Sequence, residues 1–151
     1  MIHNYTIRKA EYKDIPDLSD LLTVLFSIEQ DFEPNDERQQ SGLKMMLNDS
    51  MNRCVMVAEL GKKIVGMVTC QLLISTAEGG QVAVIEDLIV NREYQGNGIG
   101  KQLLSSIEDW AVEKGATRLQ LLADKTNTPA LNFYKKIGWD HTQLICLRRK
   151  H

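Results

Sequence analysis

Residues 91–104 of this chain read NREYQGNGIGKQLL, and the interpretation of the whole sequence depends on them. Glycine occupies positions 96, 98 and 100, immediately before an amphipathic segment with the periodicity of a helix. Glycine in a helix costs roughly 1 kcal/mol relative to alanine, so three glycines at a helix entrance require an explanation.

A glycine-rich helix entrance can serve as an anion site. The first four N–H groups of a helix have no partner within it, and the helix dipole makes that end electropositive. Without side chains in the way, a phosphate or pyrophosphate can reach those groups. We therefore expect the amides of residues 96–101, aided by the charge of Lys101, to bind such a group. A flexible turn with a glycine-rich cap is the alternative, but three alternating glycines after a strand favour the anion site.

Two widespread phosphate motifs fit this stretch poorly. In an alignment with the P-loop motif, Gln95 replaces the first glycine and Gln102 replaces the Ser/Thr. The third glycine comes one residue too early for the dinucleotide fingerprint, although Asp124 mimics its ribose-binding acid. The preceding strand carries Glu86 and Asp87, which the buried first strand of such a unit disfavours. A nucleotide-binding or redox domain is therefore disfavoured.

Length and composition are those of one globular domain, residues 1–151, with 43% hydrophobic and 25% charged residues. The formal net charge of −2 provides no basic field, so we expect neither nucleic acid nor a membrane as a partner. No segment approaches the roughly 20 apolar residues needed to span a bilayer, and the N-terminus lacks the apolar centre of a signal peptide. We expect a cytoplasmic protein. A homodimer is compatible with the sequence, which does not fix the oligomeric state.

The cysteines and histidines predict neither a disulfide framework nor a metal site. Cys54, Cys70 and Cys146 are odd in number and form no C-x-x-C pair. The three histidines are far apart and lack the spacing of metal ligands. We therefore expect reduced thiols and no metal cofactor.

Hydrophobic periodicity and turn residues predict the element order β-α-α-β-β-β-α-β-α-β. The predicted strands span residues 5–8, 54–60, 64–74, 82–90, 118–123 and a last segment within 141–148. The first predicted helix begins after an N-cap at Asp14 and has an apolar stripe from Ile15 to Ile28. The other predicted helices span residues 38–47, 99–114 and 130–137. An early hairpin and a later strand–helix–strand crossover favour an α/β fold with a mixed, mostly antiparallel central sheet and helices on both faces.

Two segments together resemble the GNAT superfamily of acetyltransferases. Residues 95–100, QGNGIG, match its Q/R-x-x-G-x-G/A signature, and residues 127–134, NTPALNFY, match its N-x-x-A-x-x-F-Y segment. The element order over the whole chain also agrees with the GNAT fold. The resemblance implies an enzyme that binds acetyl-coenzyme A (acetyl-CoA) and transfers its acetyl group to a primary amine by direct attack on the thioester.

The resemblance also assigns coenzyme-binding residues. The backbone of Leu88, Ile89 and Val90 would pair with the pantetheine arm, at an edge exposed where strands 82–90 and 118–123 splay apart. Backbone N–H groups of the same stretch could support the developing oxyanion. The pyrophosphate would be bound by Gln95, Gly96, Asn97, Gly98, Ile99, Gly100 and Lys101.

The chemistry implied by the resemblance needs an acid and a base. Tyr134 would point at the sulfur and give its proton to the leaving thiolate, uphill by ~1.5 pKa units or about 2 kcal/mol, unless it only packs beside Phe133. Only about one amine in a thousand of pKa ~10.4 is neutral at pH 7, so a base is useful. Glu86 is the candidate base, unless it lies on a solvated face. Asn127 would contact the coenzyme, or merely shape a turn beside Thr128, a suitable N-cap.

The acceptor is predicted from charge. Acidic residues are concentrated between the first two predicted helices, at Glu29, Asp31, Glu33, Asp36 and Glu37. In GNAT folds this region borders the acceptor pocket, so the resemblance favours a small cationic amine, with a solvated acidic loop as the alternative. A protein amine stays open as the acceptor. So does a non-catalytic, acyl-CoA-binding regulatory module, against which the presence of Tyr134 and Glu86 argues.

Overall fold

The structure of the chain is a computed structural model that describes residues 4–151. Within that range the strands form one sheet: β1 (Tyr5–Lys9), β2 (Arg53–Leu60), β3 (Lys63–Ser75), β4 (Gly80–Val90) and β5 (Leu119–Leu121). The α-helices of the described residues are α1 (Ile15–Ile28), α2 (Asp36–Leu47), α3 (Ile99–Glu113) and α4 (Thr128–Lys136). None of these helices is long and apolar enough to cross a membrane.

The sheet is mixed. Strands β1 to β4 pair antiparallel in chain order, and β5 pairs with β4 in parallel after the crossover through α3. The turn between β2 and β3 contains Gly61 at a φ of +65°, a left-handed conformation that favours glycine. The predicted α/β class, with a mostly antiparallel sheet and helices on both faces, is therefore confirmed.

Each face of the sheet is covered by a helical layer. On one face, α3 buries Leu103, Leu104 and Ile107 against strand residues such as Val65 and Ile85. On the other face, α1 and α2 form the second layer. The buried residues of that layer include Leu18, Leu22, Leu43, Met67 and Ile89. The sheet therefore separates α1 and α2, on one face, from α3 on the other face.

A buried polar cluster joins α1 to α2. Gln39, which is 7% exposed, donates from Nε2 to the backbone oxygen of Ser19 at 2.9 Å and to the Thr23 hydroxyl at 3.0 Å. Its Oε1 accepts from the backbone N–H of Asn35 at 2.7 Å, and the Ser19 hydroxyl donates to Asp36 at 2.6 Å. Leaving such a buried group without a partner costs about 1–3 kcal/mol, so the cluster fixes the relative placement of the two helices.

The predicted strand within residues 141–148 is wrong. Residues 140–151 carry no regular secondary structure and make no backbone–backbone hydrogen bond within the described chain. An apolar run indicates a need for burial, but a strand also requires a neighbouring backbone to pair with. Among residues 4–151, no strand pairs with this segment. The predicted strand 118–123 is likewise shorter than expected, since β5 has only three residues.

A charged cluster ties β1 to the start of α1. The Asp14 carboxylate, on a residue only 4% exposed, accepts from the Arg8 guanidinium at 2.8 and 3.0 Å and from the backbone of Glu11 at 2.8 Å. Arg8 also donates to Glu59 at 2.6 Å. The hydrogen bonds from Arg8 hold the pKa of Asp14 below its ordinary value, although burial acts in the opposite direction. The pair therefore stabilises the fold above the ordinary pKa of aspartate, and this contribution is lost as the pH falls.

We expect Arg8→Met to lower the free energy of unfolding by about 3 kcal/mol at pH 7, because the buried Asp14 carboxylate then lacks its partner. Urea denaturation measures the loss, which should shrink as the pH falls below the ordinary pKa of aspartate, because the contribution of the pair is lost in that direction. The control is Lys13→Met, which removes an exposed pair with Glu11 at 3.2 Å and should cost less than about 0.5 kcal/mol. Equal losses in the two variants would contradict this account of the cluster.

Candidate active site

β4 and β5 run side by side for only three residues. Residues 83–85 of β4 pair with residues 119–121, after which β5 ends. β4 continues through residues 86–90 and remains paired with β3 on its other side. In the described chain, the edge of β4 that faces away from β3 therefore has no strand beside it over residues 86–90. Such an edge presents backbone N–H and C=O groups with which an extended ligand can pair.

A β-bulge lies within this stretch of β4. Met67 of β3 pairs with Ile89 of β4. Two residues further along β3, Thr69 pairs with Glu86, so β4 contains one residue more than β3 between the two pairs. Asp87 within the bulge has a φ of +53°, which residues other than glycine seldom adopt, and it accepts a hydrogen bond from the Thr69 hydroxyl at 3.1 Å. Bulges re-aim side chains, and this one involves the acid that lines the cavity described below.

The glycine-rich turn has the backbone conformation that its sequence requires. Gly96 and Gly98 have φ values of +80° and +78°, and Gly98 is the N-cap of α3. A Cβ atom on either residue would meet nothing within 4 Å, so the space beside them is open. The Gln95 side chain donates to the backbone oxygen of Val90 at 3.0 Å, which ties the turn to the end of β4. The Asn97 side chain donates to backbone oxygens of the same turn at 3.0 and 3.3 Å.

The first turn of α3 offers backbone donors next to this open space. The first helical hydrogen bond runs from the N–H of Gln102 to the oxygen of Gly98 at 3.1 Å. The amides of residues 99–101 therefore precede the hydrogen bonds of the helix. Ile99, only 1% exposed, anchors this turn in the core, whereas the Lys101 side chain is exposed. These amides are the donors expected from the sequence to bind an anion, and that binding stays a prediction.

Asn127 caps the last helix. It is the N-cap of α4, and its Oδ1 accepts from the backbone N–H of Ala130 at 3.2 Å. The expectation that Thr128 would be the N-cap is wrong, because Asn127 occupies that position and Thr128 is already helical. Asn127 thus has a structural role at the start of α4.

Tyr134 lies on α4, half-buried and packed against the α3 side of the core. Its ring centroid is 5.4 Å from that of Phe133 in an edge-on arrangement. Its hydroxyl has no hydrogen-bond partner among the residues that the structure describes. Burial raises the pKa of Tyr134, and the negative charge of Glu29 adds to the shift, so this phenol stays protonated at neutral pH.

A cavity of about 420 Å³ lies on the other face of the sheet, between α1, α2 and the strands β3 and β4. Part of its wall is apolar, with Leu22, Phe26 and Met46. Gln71 and Asp87 are among its polar wall residues. This volume suits a small organic molecule. Asp87 marks the point at which the cavity reaches the unpaired edge of β4.

Glu29 and Asp87 are acids with raised pKa values. Burial raises the pKa of Glu29 to about 7, and the charges of Asp87, Asp124 and Glu86 add to this shift. Burial likewise raises the pKa of Asp87 to about 6, and the charge of Glu86 adds to it. Glu29 thus lies within electrostatic reach of the other three carboxylates, and burial together with the charge of Glu29 raises the pKa of Tyr134.

The bulge separates Glu86 from Asp87. Glu86, the base predicted from the sequence, is exposed and is not part of the cavity wall, whereas Asp87 is. Residue patterns point to Glu29 only as one member of an acidic run, and they give no signal for the bulge that sets Asp87 apart. The position of Glu29 directly after the apolar stripe of α1 is the one available signal. Among the described residues, no group of His, Cys, Asp and Glu side chains could hold a metal ion.

A sheet whose parallel strands part beside a glycine-rich helix entrance, with a substrate-sized cavity across the sheet, defines the acyl-CoA N-acyltransferase fold. The profile of the acetyltransferase (GNAT) family matches residues 15–139. The chain belongs to this family, which confirms the resemblance drawn from the two sequence segments.

Individual relatives agree with this assignment. An uncharacterised N-acetyltransferase from Methanocaldococcus jannaschii is 29% identical over 149 residues, which cover 96% of this chain and 65% of the relative. The chain thus spans just under two thirds of that protein. An aminoglycoside acetyltransferase from an uncultured soil metagenomic sample, solved with sisomicin, is 28% identical, has a TM-score of 0.78 and is matched over 97% of this chain and 96% of its own. An aminoglycoside N-acetyltransferase solved with CoA, matched over 99% and 97% of the two chains, has a TM-score of 0.84; at 16% identity it shows the common fold.

We expect Glu29→Gln to change the free energy of unfolding more favourably at pH 8 than at pH 5, each time relative to the parent. Folding raises the pKa of Glu29 from 4.5 to about 7, so the folded chain binds this proton more tightly and the parent loses stability as the pH rises between these values. The glutamine variant lacks this loss and should gain roughly 1–2 kcal/mol at pH 8 relative to pH 5.

Urea denaturation at the two pH values measures this gain. The matched control is Glu33→Gln, which removes an exposed carboxylate of the same acidic run. A pH-independent effect of Glu29→Gln would show that Glu29 is an ordinary surface carboxylate.

Proposed function

We propose that this protein transfers the acetyl group of acetyl-CoA to a primary amine of a small cationic molecule. The gap between β4 and β5 carries the proposal. Tyr134 of α4 lies within electrostatic reach of Glu29, and Glu29 lies within reach of Asp87, which belongs to the wall of the cavity and to the unpaired stretch of β4. A coenzyme held on the α3 side and an amine held in the cavity would therefore meet across β4.

The residues on the α3 side fit acetyl-CoA. The unpaired edge of β4 at Leu88, Ile89 and Val90 suits the amide groups of a pantetheine arm. The open space beside Gly96 and Gly98 leaves room for a pyrophosphate on the helix amides that follow. A protein of the same fold was solved in complex with CoA. When bound, acetyl-CoA supplies an acetyl group activated as a thioester.

The remaining coenzyme residues are assigned supporting roles. Gln95 and Asn97 hold the turn in shape through their backbone contacts, and the exposed ammonium of Lys101 adds positive charge for the phosphates. The amides of Ile99 and Gly100 act with that of Lys101 as donors. We assign Asn127, at the start of α4, to a contact with the coenzyme in addition to its capping role.

Tyr134 is assigned as the partner of the leaving sulfur. A phenol without a protein acceptor can donate its hydrogen bond to a ligand, and the raised pKa keeps that proton in place until it is needed. Complete transfer to a thiolate of pKa ~8.5 is uphill by at least ~1.5 units, or about 2 kcal/mol. Hydrogen-bond stabilisation of the thiolate is therefore the larger part of this role.

Asp87 and Glu29 are assigned to the amine. An acceptor ammonium of pKa ~10.4 must lose a proton before its nitrogen can attack. General bases act best when their pKa lies near the working pH, and the coupled acids have values of about 6 and about 7. The same negative charges attract a cationic acceptor. We assign Glu86 an indirect part in base catalysis, because its charge raises the pKa of both acids.

The cysteines support a reducing compartment, in line with a cytoplasmic location. Cys54 and Cys70 lie directly opposite each other on β2 and β3, yet both are free thiols. Burial raises their pKa values to about 11 and about 12, which makes both thiols unreactive.

Release of the CoA thiol from acetyl-CoA across a panel of amines tests the proposed activity. The panel contains monoamines, diamines, an aminoglycoside, a lysine peptide and a protein. We expect turnover with small amines that carry further positive charge. Binding of acetyl-CoA without turnover on any amine would favour a regulatory module, and turnover on the peptide or protein alone would reject the small-molecule acceptor.

We expect Tyr134→Phe to lower kcat by roughly 10²-fold, because the leaving thiolate loses its hydrogen-bond donor. The Kd of acetyl-CoA, measured by calorimetry, should change by less than about threefold, since the ring and its packing remain. Tyr5→Phe, a half-buried tyrosine of β1, is the matched control and should leave kcat unchanged. Unchanged turnover in Tyr134→Phe would remove this residue from the mechanism.

We expect Gly98→Ala to weaken acetyl-CoA binding at least tenfold. Gly98 has a φ of +78°, which alanine rarely adopts, and it is the N-cap of the helix whose first amides would hold the pyrophosphate. Gly100→Ala is the matched control, because the signature accepts alanine there and a Cβ would lie 3.8 Å from Phe133 and from Val90, which is ordinary contact. Calorimetric titration measures binding, and equal affinity in Gly98→Ala and the parent would argue against a pyrophosphate at this turn.

A further inference from the structure

Thr69 of β3 is a buried polar residue in the wall of the cavity. Its side chain belongs to a residue that is only 5% exposed, and its hydroxyl donates to Oδ2 of Asp87 at 3.1 Å. In the ladder Thr69 is paired with Glu86, so the hydrogen bond reaches past the paired residue to the next residue of β4, inside the bulge. The hydroxyl therefore joins β3 to the irregular part of β4.

The conformation of Asp87 depends on this contact. Its carboxylate accepts no other hydrogen bond from the residues that the structure describes. Its φ of +53° is a conformation that persists only where the surroundings hold it in place. Thr69 is suited to that task, because a β-branched side chain has few rotamers and a buried hydroxyl needs an acceptor. Each of the two residues thus supplies what the other lacks.

We propose that Thr69 is a positioning residue for acetyl transfer, whose hydroxyl holds the Asp87 carboxylate in the cavity wall in the orientation that receives a proton from the acceptor amine. This inference rests on the proposed role of Asp87. Because Oδ2 accepts from the hydroxyl, Oδ1 is the oxygen available to the amine. An N–H bond of the acceptor ammonium breaks and an O–H bond forms at Oδ1, while the hydroxyl proton of Thr69 stays on its own oxygen.

A neutral donor suits this task better than a cation does. The Asp14 carboxylate is held by the Arg8 guanidinium, and that contact lowers the pKa of Asp14. A cation at Asp87 would hold the carboxylate equally well but would make it a weaker base. The Thr69 hydroxyl lowers the pKa of Asp87 as well, but burial is the larger effect and keeps it at about 6. Thr69 therefore fixes the position of Asp87 without removing its basicity.

The charged groups around Asp87 stay in place when Thr69 is substituted. The charge of Glu86 raises the pKa of Asp87, and Glu29 lies within electrostatic reach after the end of α1. The other charged residues of the cavity wall are Glu33 just before α2, Arg38 in its first turn and Arg53 of β2. Among the described residues, none of these groups donates a hydrogen bond to the Asp87 carboxylate. A changed pH dependence after substitution of Thr69 therefore reports the lost hydrogen bond.

Thr69→Val tests the proposal, because it removes the hydroxyl and keeps the branched shape. The hydrogen bond favours the charged carboxylate, so its loss should raise the pKa of Asp87 by at least about 0.5 unit and move the acidic limb of kcat/KM upward by the same amount. On the plateau, kcat should fall roughly tenfold, since the carboxylate is no longer held. Thr69→Ser restores the hydroxyl and should return both values close to those of the parent. The control Thr117→Val removes an exposed hydrogen bond to Glu78 at 3.0 Å and should change neither.

Carbon NMR of labelled aspartate carboxyl groups measures the pKa of Asp87 without any turnover, with the signal assigned by its absence in Asp87→Asn. An equal pKa of Asp87 in the parent and in Thr69→Val, or a Thr69→Ser variant that behaves like Thr69→Val, would overturn the inference. A raised pKa with an unmoved acidic limb would overturn it too, because Asp87 would not be the base. A parent that acetylates no amine would reject the proposed function and this role with it, whereas an unchanged NMR titration would reject the role of Thr69 alone.

Discussion

The early end of β5 is the constraint on which the site depends. Because parallel pairing stops after residues 83–85 and 119–121, β4 keeps one edge without a strand over its last five residues. A longer β5 would satisfy those backbone groups and close the gap through which two ligands can meet. The bulge at Asp87 falls within the same stretch, where the ladder is incomplete and the disruption costs least. The unpaired edge of β4 and the unusual φ of Asp87 thus occur in the same five residues of the strand.

Residues that suit this site work against the stability of the fold. Asp87 has a strained backbone conformation, and burial together with the neighbouring acids raises the pKa of Glu29 to about 7. Satisfied polar contacts elsewhere offset this. The Arg8–Asp14 pair holds the first turn of α1, and the buried amide of Gln39 holds that helix against α2. Glu29 directly follows α1, so these two clusters also determine where its carboxylate lies.

Local chemistry explains which parts of the structure the sequence could predict. Gly96 and Gly98 sit in a left-handed turn before a helix whose first turn is anchored by Ile99, as the alternation of glycine with other residues indicates. The helix and strand bounds follow from periodicity in the same way. Asp87 could not be found by this route, because a bulge depends on the register between two strands. Its neighbour Glu86 also carries a carboxylate, but Glu86 is exposed and lies outside the cavity wall.

The wrong strand at residues 141–148 has a different cause. Periodicity reports that Leu144, Ile145 and Leu147 need burial, and this need remains in the folded subunit, where all three are exposed. Pairing is a property of the neighbouring backbone, which a sequence pattern does not describe. The unpaired edge of β4 could not be read from the residue pattern for the same reason. Among the described residues it lies open where β5 ends, and the open space beside Gly96 and Gly98 leaves room there for a small ligand.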